Sequence, residues 1–262
     1  MKKLFAIIAL GITFSCSQNN EPKVSTIEKT EILQKEISIP EKISFPSGDG
    51  LPITANLYHK DDKAPVIVLC HQARFNKFEY TGIAKSLWEK GFNCLAIDQR
   101  SGGGIVEEFN ETNLEALKQK KPVDFLDAEQ DVIAAVNFAS KKYGKKIILW
   151  GSSYSSVLAL YTAIANDSVK AVISFSPGDY FVKEKGSLAA LLQNFTKPMF
   201  VTSSKEEAKE LTQMLSKMKM NEKQTQFIPD SAGFHGSRAL WKTSENNEEY
   251  WKAINAFLEK VK

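Results

Sequence analysis

Short, almost uniformly apolar runs alternate with helical patterns along most of this chain. "PVIVLC" and "FNCLAID" flank "YTGIAKSLWEKG", in which Tyr80, Ile83, Ala84, Leu87 and Trp88 share one helical face before a glycine stop. Apolar runs of this length with no polar alternation suit strands buried on both faces, and a helix between two of them makes a parallel crossover unit. The pattern repeats: a helix from about Asp124 to Tyr143 is stopped by Gly144 and followed by the strand "KKIILW", and another helix starts near Tyr154. The strands "VKAVISFS", "KPMFVTS" and "QTQFIP" follow, with helices around Ala208 to Met218 and Tyr250 to Val261. Ahead of them, "KISFPSGDGLPITANLYHK" alternates apolar and polar residues about a glycine turn, which predicts an antiparallel hairpin. The expected fold is a mostly parallel α/β sheet of about eight strands, helices on both faces and no large lid domain. The one long connection, Gly102 to Pro122, reads as a rim over a site.

The start of the chain belongs to a different category. Residues 1–15, "MKKLFAIIALGITFS", carry two lysines, an apolar stretch and then small residues, the layout of a secretory signal. "SCSQNN" follows, and a cysteine placed there resembles the lipobox of a bacterial lipoprotein, which implies lipidation at Cys16. Residues 16–36 then form the lipidated cysteine and a polar tether, leaving 37–262 as the folded domain. These features predict a protein of the cell envelope, anchored in the periplasm or outer membrane by lipid on Cys16. A formal charge of +3, from 34 basic and 31 acidic side chains, provides no footprint for nucleic acid. Cys70 and Cys94 lie inside strand-like runs and are expected as buried small hydrophobes without a disulfide.

Between "KKIILW" and the helix near Tyr154 stand only Gly151, Ser152 and Ser153, so the chain must turn sharply at the carboxyl end of a buried strand. Small residues are needed on either side of such a turn, and Gly151 and Ser155 provide them around Ser153. A serine can also simply cap a helix. A nucleophilic serine needs an imidazole to take its proton, and the chain has three histidines, His59, His71 and His235.

"GSSYS" resembles the nucleophile elbow G-x-S-x-G of the α/β-hydrolase superfamily, with Ser155 in place of the last glycine. The compact layout is most similar to the dienelactone hydrolase and small esterase group, although the nucleophile here is serine where that enzyme has cysteine. The resemblance implies the chain order serine, acid, histidine. It selects His235, in the glycine-bracketed loop "SAGFHGSRALW", as the base. It implies Glu206, in "KPMFVTSSKEEA", as the acid with Glu207 adjacent, and Asp179 in "FSPGDYF" as the alternative. The spacing of Ser203 with Glu206, or of Ser204 with Glu207, is also that of a helix capping box. In "HQARFNKFEY" the resemblance implies the oxyanion donor Ala73, with Gln72 as alternative, acting beside the N–H of Tyr154; His71 would organise that loop. Asp98 in "AIDQRSGG" resembles a D-x-R turn and is expected to order it with Arg100.

The expected activity is ester hydrolysis through an acyl-enzyme on Ser153, with no cofactor or metal. The substrate would be a small-molecule or polysaccharide-linked ester, and the protein a monomer. A hydrolase fold that binds a ligand or partner without catalysis is the other reading, because fold alone does not establish activity.

Overall fold

A computed structural model of the chain describes residues 39–105 and 107–262. The expected signal sequence, the tether and Cys16 lie outside the described residues. Among the described residues there are eight strands, β1 (Glu41–Pro46), β2 (Pro52–Tyr58), β3 (Val66–Cys70), β4 (Asn93–Ile97), β5 (Ile147–Ser152), β6 (Val169–Phe175), β7 (Met199–Thr202) and β8 (Gln224–Phe227). They form one sheet in the order β1-β2-β4-β3-β5-β6-β7-β8. β1 pairs antiparallel with β2, and β2 antiparallel with β4. Every other pairing is parallel, as the uniformly apolar runs predicted.

The helices are α1 (Thr81–Glu89), α2 (Glu111–Lys118), α3 (Glu129–Tyr143), α4 (Tyr154–Ala165), α5 (Val182–Lys185), α6 (Leu188–Leu192), α7 (Ala208–Leu215) and α8 (Asn247–Val261). They cover both faces because successive strand residues point to opposite sides. Val66, Val68 and Leu149 pack with Val132 and Val136 of α3 and Val157 and Leu158 of α4. Their neighbours Ile67, Leu69, Ile148 and Trp150 pack the other way, against Ile83 and Leu87 of α1 and Tyr250, Ile254 and Phe257 of α8. The sheet is thus the middle layer of three, and its central strands β3, β4 and β5 are buried on both sides.

Two expectations need correction. The connection from Gly102 to Pro122 is not simply a loop, because it holds α2, capped by the Asn110 side chain on Asn113 N–H. Asp98 does not partner Arg100. It accepts Lys77 Nζ at 2.8 Å, both side chains being fully buried, while Arg100 donates to Asp131 at 2.8 Å and to Asp49 at 2.9 Å. A buried ion requires a partner with matching hydrogen bonds, and Asp131 on α3 offers its carboxylate to both the guanidinium and the N–H of Arg100. The turn after β4 is therefore braced from two helical directions.

Candidate active site

The carboxyl ends of β5, β6 and β7, together with the loop after β8, bring the site together. Ser153 stands between β5 and α4 at φ 59° and ψ −128°. A non-glycine residue there costs on the order of 1–3 kcal/mol, so its surroundings must hold it. They do so through the backbone: Ser153 N–H donates to Phe175 O at 2.8 Å and Ser156 N–H donates to Ser153 O at 2.9 Å. Ser155, the departure from the glycine pattern, is fully buried and adds a polar strut. Its hydroxyl accepts Ser152 N–H at 2.9 Å and donates to Cys70 O at 2.7 Å, linking the elbow to the end of β3.

Ser153 Oγ donates to His235 Nε2 at 2.8 Å. His235 lies in the loop after β8, and its Nδ1–H donates to Glu207 Oε1. That pairing fixes the tautomer, leaving Nε2 bare to receive the serine proton. Gly236 makes the loop's close approach achievable: at φ 71°, a Cβ on it would sit 2.6 Å from both Gln72 Oε1 and Ser152 Oγ.

The carboxylate that meets His235 is that of Glu207, neither Glu206 nor Asp179. Glu206 is exposed, and Asp179 accepts the Leu188 N–H at 2.8 Å at the start of α6. Glu207 Oε2 accepts Ser176 Oγ at 2.8 Å and Ser204 N–H at 3.1 Å, while Glu207 N–H faces Ser204 Oγ at 3.4 Å. Of the two capping-box spacings, Ser204 with Glu207 forms the reciprocal pair, while Ser203 Oγ donates to Ser204 O; the pair immobilises the carboxylate that holds the imidazole. Burial works against the charge on Glu207. The hydrogen bonds from His235 and Ser176 outweigh it and hold the carboxyl down to about 2.

Ser176, at the end of β6, did not emerge from the sequence. Its hydroxyl donates to Glu207 and accepts Gly236 N–H at 3.0 Å, joining acid and histidine loop. The signal for it was weak: a small hydroxyl residue directly after an apolar strand run, in "FSPGD". Tyr180 also escaped notice. Its hydroxyl donates to Ser176 O at 3.3 Å, and with Ser176, Glu207, Leu211 and Met214 it lines a cavity of about 690 Å³ beside the acid.

On the oxyanion side, Ala73 follows β3 and Tyr154 opens α4. The first N–H groups of a helix have no partner inside it. Among the described residues, neither the Tyr154 nor the Ala73 N–H has a hydrogen-bond acceptor. Gln72 is not an alternative donor, because its N–H is taken by Glu79 Oε2 at 2.7 Å. His71 is fully buried, donating Nδ1–H to Gln72 O at 2.8 Å and accepting Gln99 N–H on Nε2 at 3.0 Å. It organises the loop, in keeping with the reading above. His59 lies away from the site, against the Tyr143 hydroxyl. Among the described residues no group of His, Cys, Asp or Glu is gathered as metal ligands would be.

A model of the dienelactone hydrolase family matches residues 53–261. A thiohydrolase of Arthrinium phaeospermum is 30% identical over 145 residues, which are 54% of this chain and 44% of that protein. The chain therefore matches less than half the length of this curated relative. Among solved structures, the Pyrococcus furiosus esterase Pf2001 superposes with a TM-score of 0.64 at 16% identity, covering 84% of this chain and 92% of that one. The dienelactone hydrolase of Anabaena variabilis gives 0.63 at 14% identity, covering 84% and 98%. At these identities the structural likeness establishes the fold.

Proposed function

The chain belongs to the dienelactone hydrolase family, and from that premise we propose that it is a serine hydrolase cleaving carboxylic esters through an acyl-enzyme on Ser153. The observation that carries this reading is the unbroken relay from Ser153 Oγ to His235 Nε2, at 2.8 Å, and from His235 Nδ1 to Glu207. Attack of Ser153 Oγ on the ester carbonyl passes its proton to His235 Nε2, and Glu207 stabilises the imidazolium so formed. The N–H groups of Ala73 and Tyr154 receive the carbonyl oxygen as it gains charge. The imidazolium then protonates the departing alcohol. Water, deprotonated by the same imidazole, releases the acid and restores Ser153.

The same sequence of steps serves a thioester, with a thiol leaving in place of an alcohol. The thiohydrolase relative makes thioesters the second substrate class to assay. The N-terminal sequence supports a lipid-anchored envelope protein with Cys16 carrying the lipid, and the proposal includes a domain acting as a monomer on small-molecule or polysaccharide-linked esters. Labelling by a fluorophosphonate probe and turnover of p-nitrophenyl acetate test the chemistry together. Both are expected in the native chain and absent in Ser153→Ala. A folded native protein that neither labels nor turns over would instead be a ligand-binding member of the fold.

A further inference from the structure

One carboxylate beside this site has no part in the relay. Glu79 lies in the 3-10 turn Lys77–Tyr80 and is 1% exposed. Its Oε2 accepts Gln72 N–H at 2.7 Å, and its Oε1 accepts the Ser152 hydroxyl at 2.8 Å. Ser152 Oγ in turn accepts Ser237 N–H at 2.8 Å. Each of these contacts falls beside a member of the site: Gln72 precedes the oxyanion donor Ala73, Ser152 precedes the nucleophile, and Ser237 follows His235 by two positions. One buried group therefore ties together the three separate segments that must meet for acyl transfer.

The geometry points to Glu79 as a positioning residue that, as a carboxylate, clamps the oxyanion loop, the elbow and the histidine loop in register. This rests on the serine-hydrolase reading. The count of donors supports it. Two donors, one N–H and one O–H, converge on two oxygens, and only the ionised form offers an acceptor to both. A proton on either oxygen turns an acceptor into a donor. If it faces Ser152, that hydroxyl loses the acceptor for its own hydrogen. If it faces Gln72, two N–H or O–H groups point at one another.

The charged groups facing Glu79 are Arg238, from the 3-10 turn Gly236–Leu240, and His235. Burial pushes the Glu79 carboxyl up to about 7, against the pull of the Gln72 N–H, Ser152, Arg238 and His235. The clamp consequently tightens as pH rises through neutrality and slackens below it.

Glu79→Gln fixes the slackened hydrogen-bond pattern at every pH. Its kcat for a p-nitrophenyl ester is expected to fall about 10- to 100-fold, a fraction of what losing an oxyanion donor outright costs, with KM changed by less than about threefold. The part of the acid limb of the kcat profile due to Glu79 should disappear. A merely structural role would leave the shape of that profile as it is. A second measurement does not depend on turnover. In isotope-labelled Ser153→Ala protein, the amide resonances of Gln72 and Ser237 should titrate together with a midpoint near 7, and Glu79→Gln added to that protein should abolish this. Kinetics within twofold of native, with an unaltered pH profile, would overturn the assignment, as would a Gln72 amide that does not titrate. If the native chain proves inactive, the serine-hydrolase reading fails alone, and the amide titration still decides whether Glu79 is a clamp. The same measurement decides if Glu79→Gln does not fold.

Discussion

The elbow depends on a missing side chain, which makes Gly151→Ala the sharpest perturbation of the site. A Cβ at Gly151 would lie 2.3 Å from Ser155 O and 2.5 Å from both Ser155 C and Ser156 Cα. All three are backbone atoms of the elbow and the first turn of α4, so no rotamer change relieves the overlap. Restoring ordinary contact needs about 1 Å of separation between β5 and α4, and overpacking of this kind costs about 1–3 kcal/mol. For a domain of this size that lowers Tm by roughly 2–4 °C per kcal/mol. The larger effect is on rate. Ser153 sits between the two elements being separated, and a misplacement of about 1 Å at a reacting group costs on the order of 100-fold. Thermal unfolding followed by circular dichroism, with ester turnover and fluorophosphonate labelling on the same samples, measures both quantities. The variant should remain folded, melt lower and label much more slowly. Native labelling kinetics in Gly151→Ala would refute the claim that close approach of strand and helix sets the nucleophile.

Two further substitutions separate near neighbours. Glu207→Gln should reduce kcat by on the order of 10³- to 10⁴-fold, because a neutral amide neither orients nor stabilises the imidazolium, while Glu206→Gln should stay within about twofold of native. Glu207 also leaves a stability signature: its carboxyl is held below the ordinary 4.5 down to about 2, so its contribution is fully present above about pH 4.5 and is lost as pH falls toward 2. With the side chain 34% exposed, that contribution is roughly 1–2 kcal/mol after allowance for solvent screening. Urea titrations at pH 3 and pH 6 should therefore differ more in the native protein than in Glu207→Gln. Ser155→Ala strands the buried Ser152 N–H and should cost about 1–3 kcal/mol in the same titration, with several-fold slower labelling of Ser153.

Physical reasons decide which parts of this arrangement could be read from the chain. Strands such as Val66–Cys70 and Ile147–Ser152 are buried on both faces, so the burial requirement is written into every residue and the parallel sheet is legible. The elbow was legible because a turn of so few residues demands small neighbours, and His235 was picked from three histidines by the chain order that the family resemblance implies. The acid was not, since Glu206 and Glu207 are the same residue type one position apart, and which one turns inward depends on how the segment after β7 meets Ser176 and His235. α2 was missed for another reason. Its inward positions are Thr112 and Ala116, while Leu114 and Leu117 are more than half exposed, so it carries no apolar stripe. Glu79 was hidden by its setting, a charged side chain in a polar stretch that gives no hint of full burial.

Glu207 does two jobs with one carboxylate, and this restricts how the protein can change. Moving the acid by a residue would also undo the turn that leads into α7, and weakening that turn would release the imidazole. Drift at this corner thus meets a double barrier, and a chain altered there should lose its shape and its chemistry in the same step.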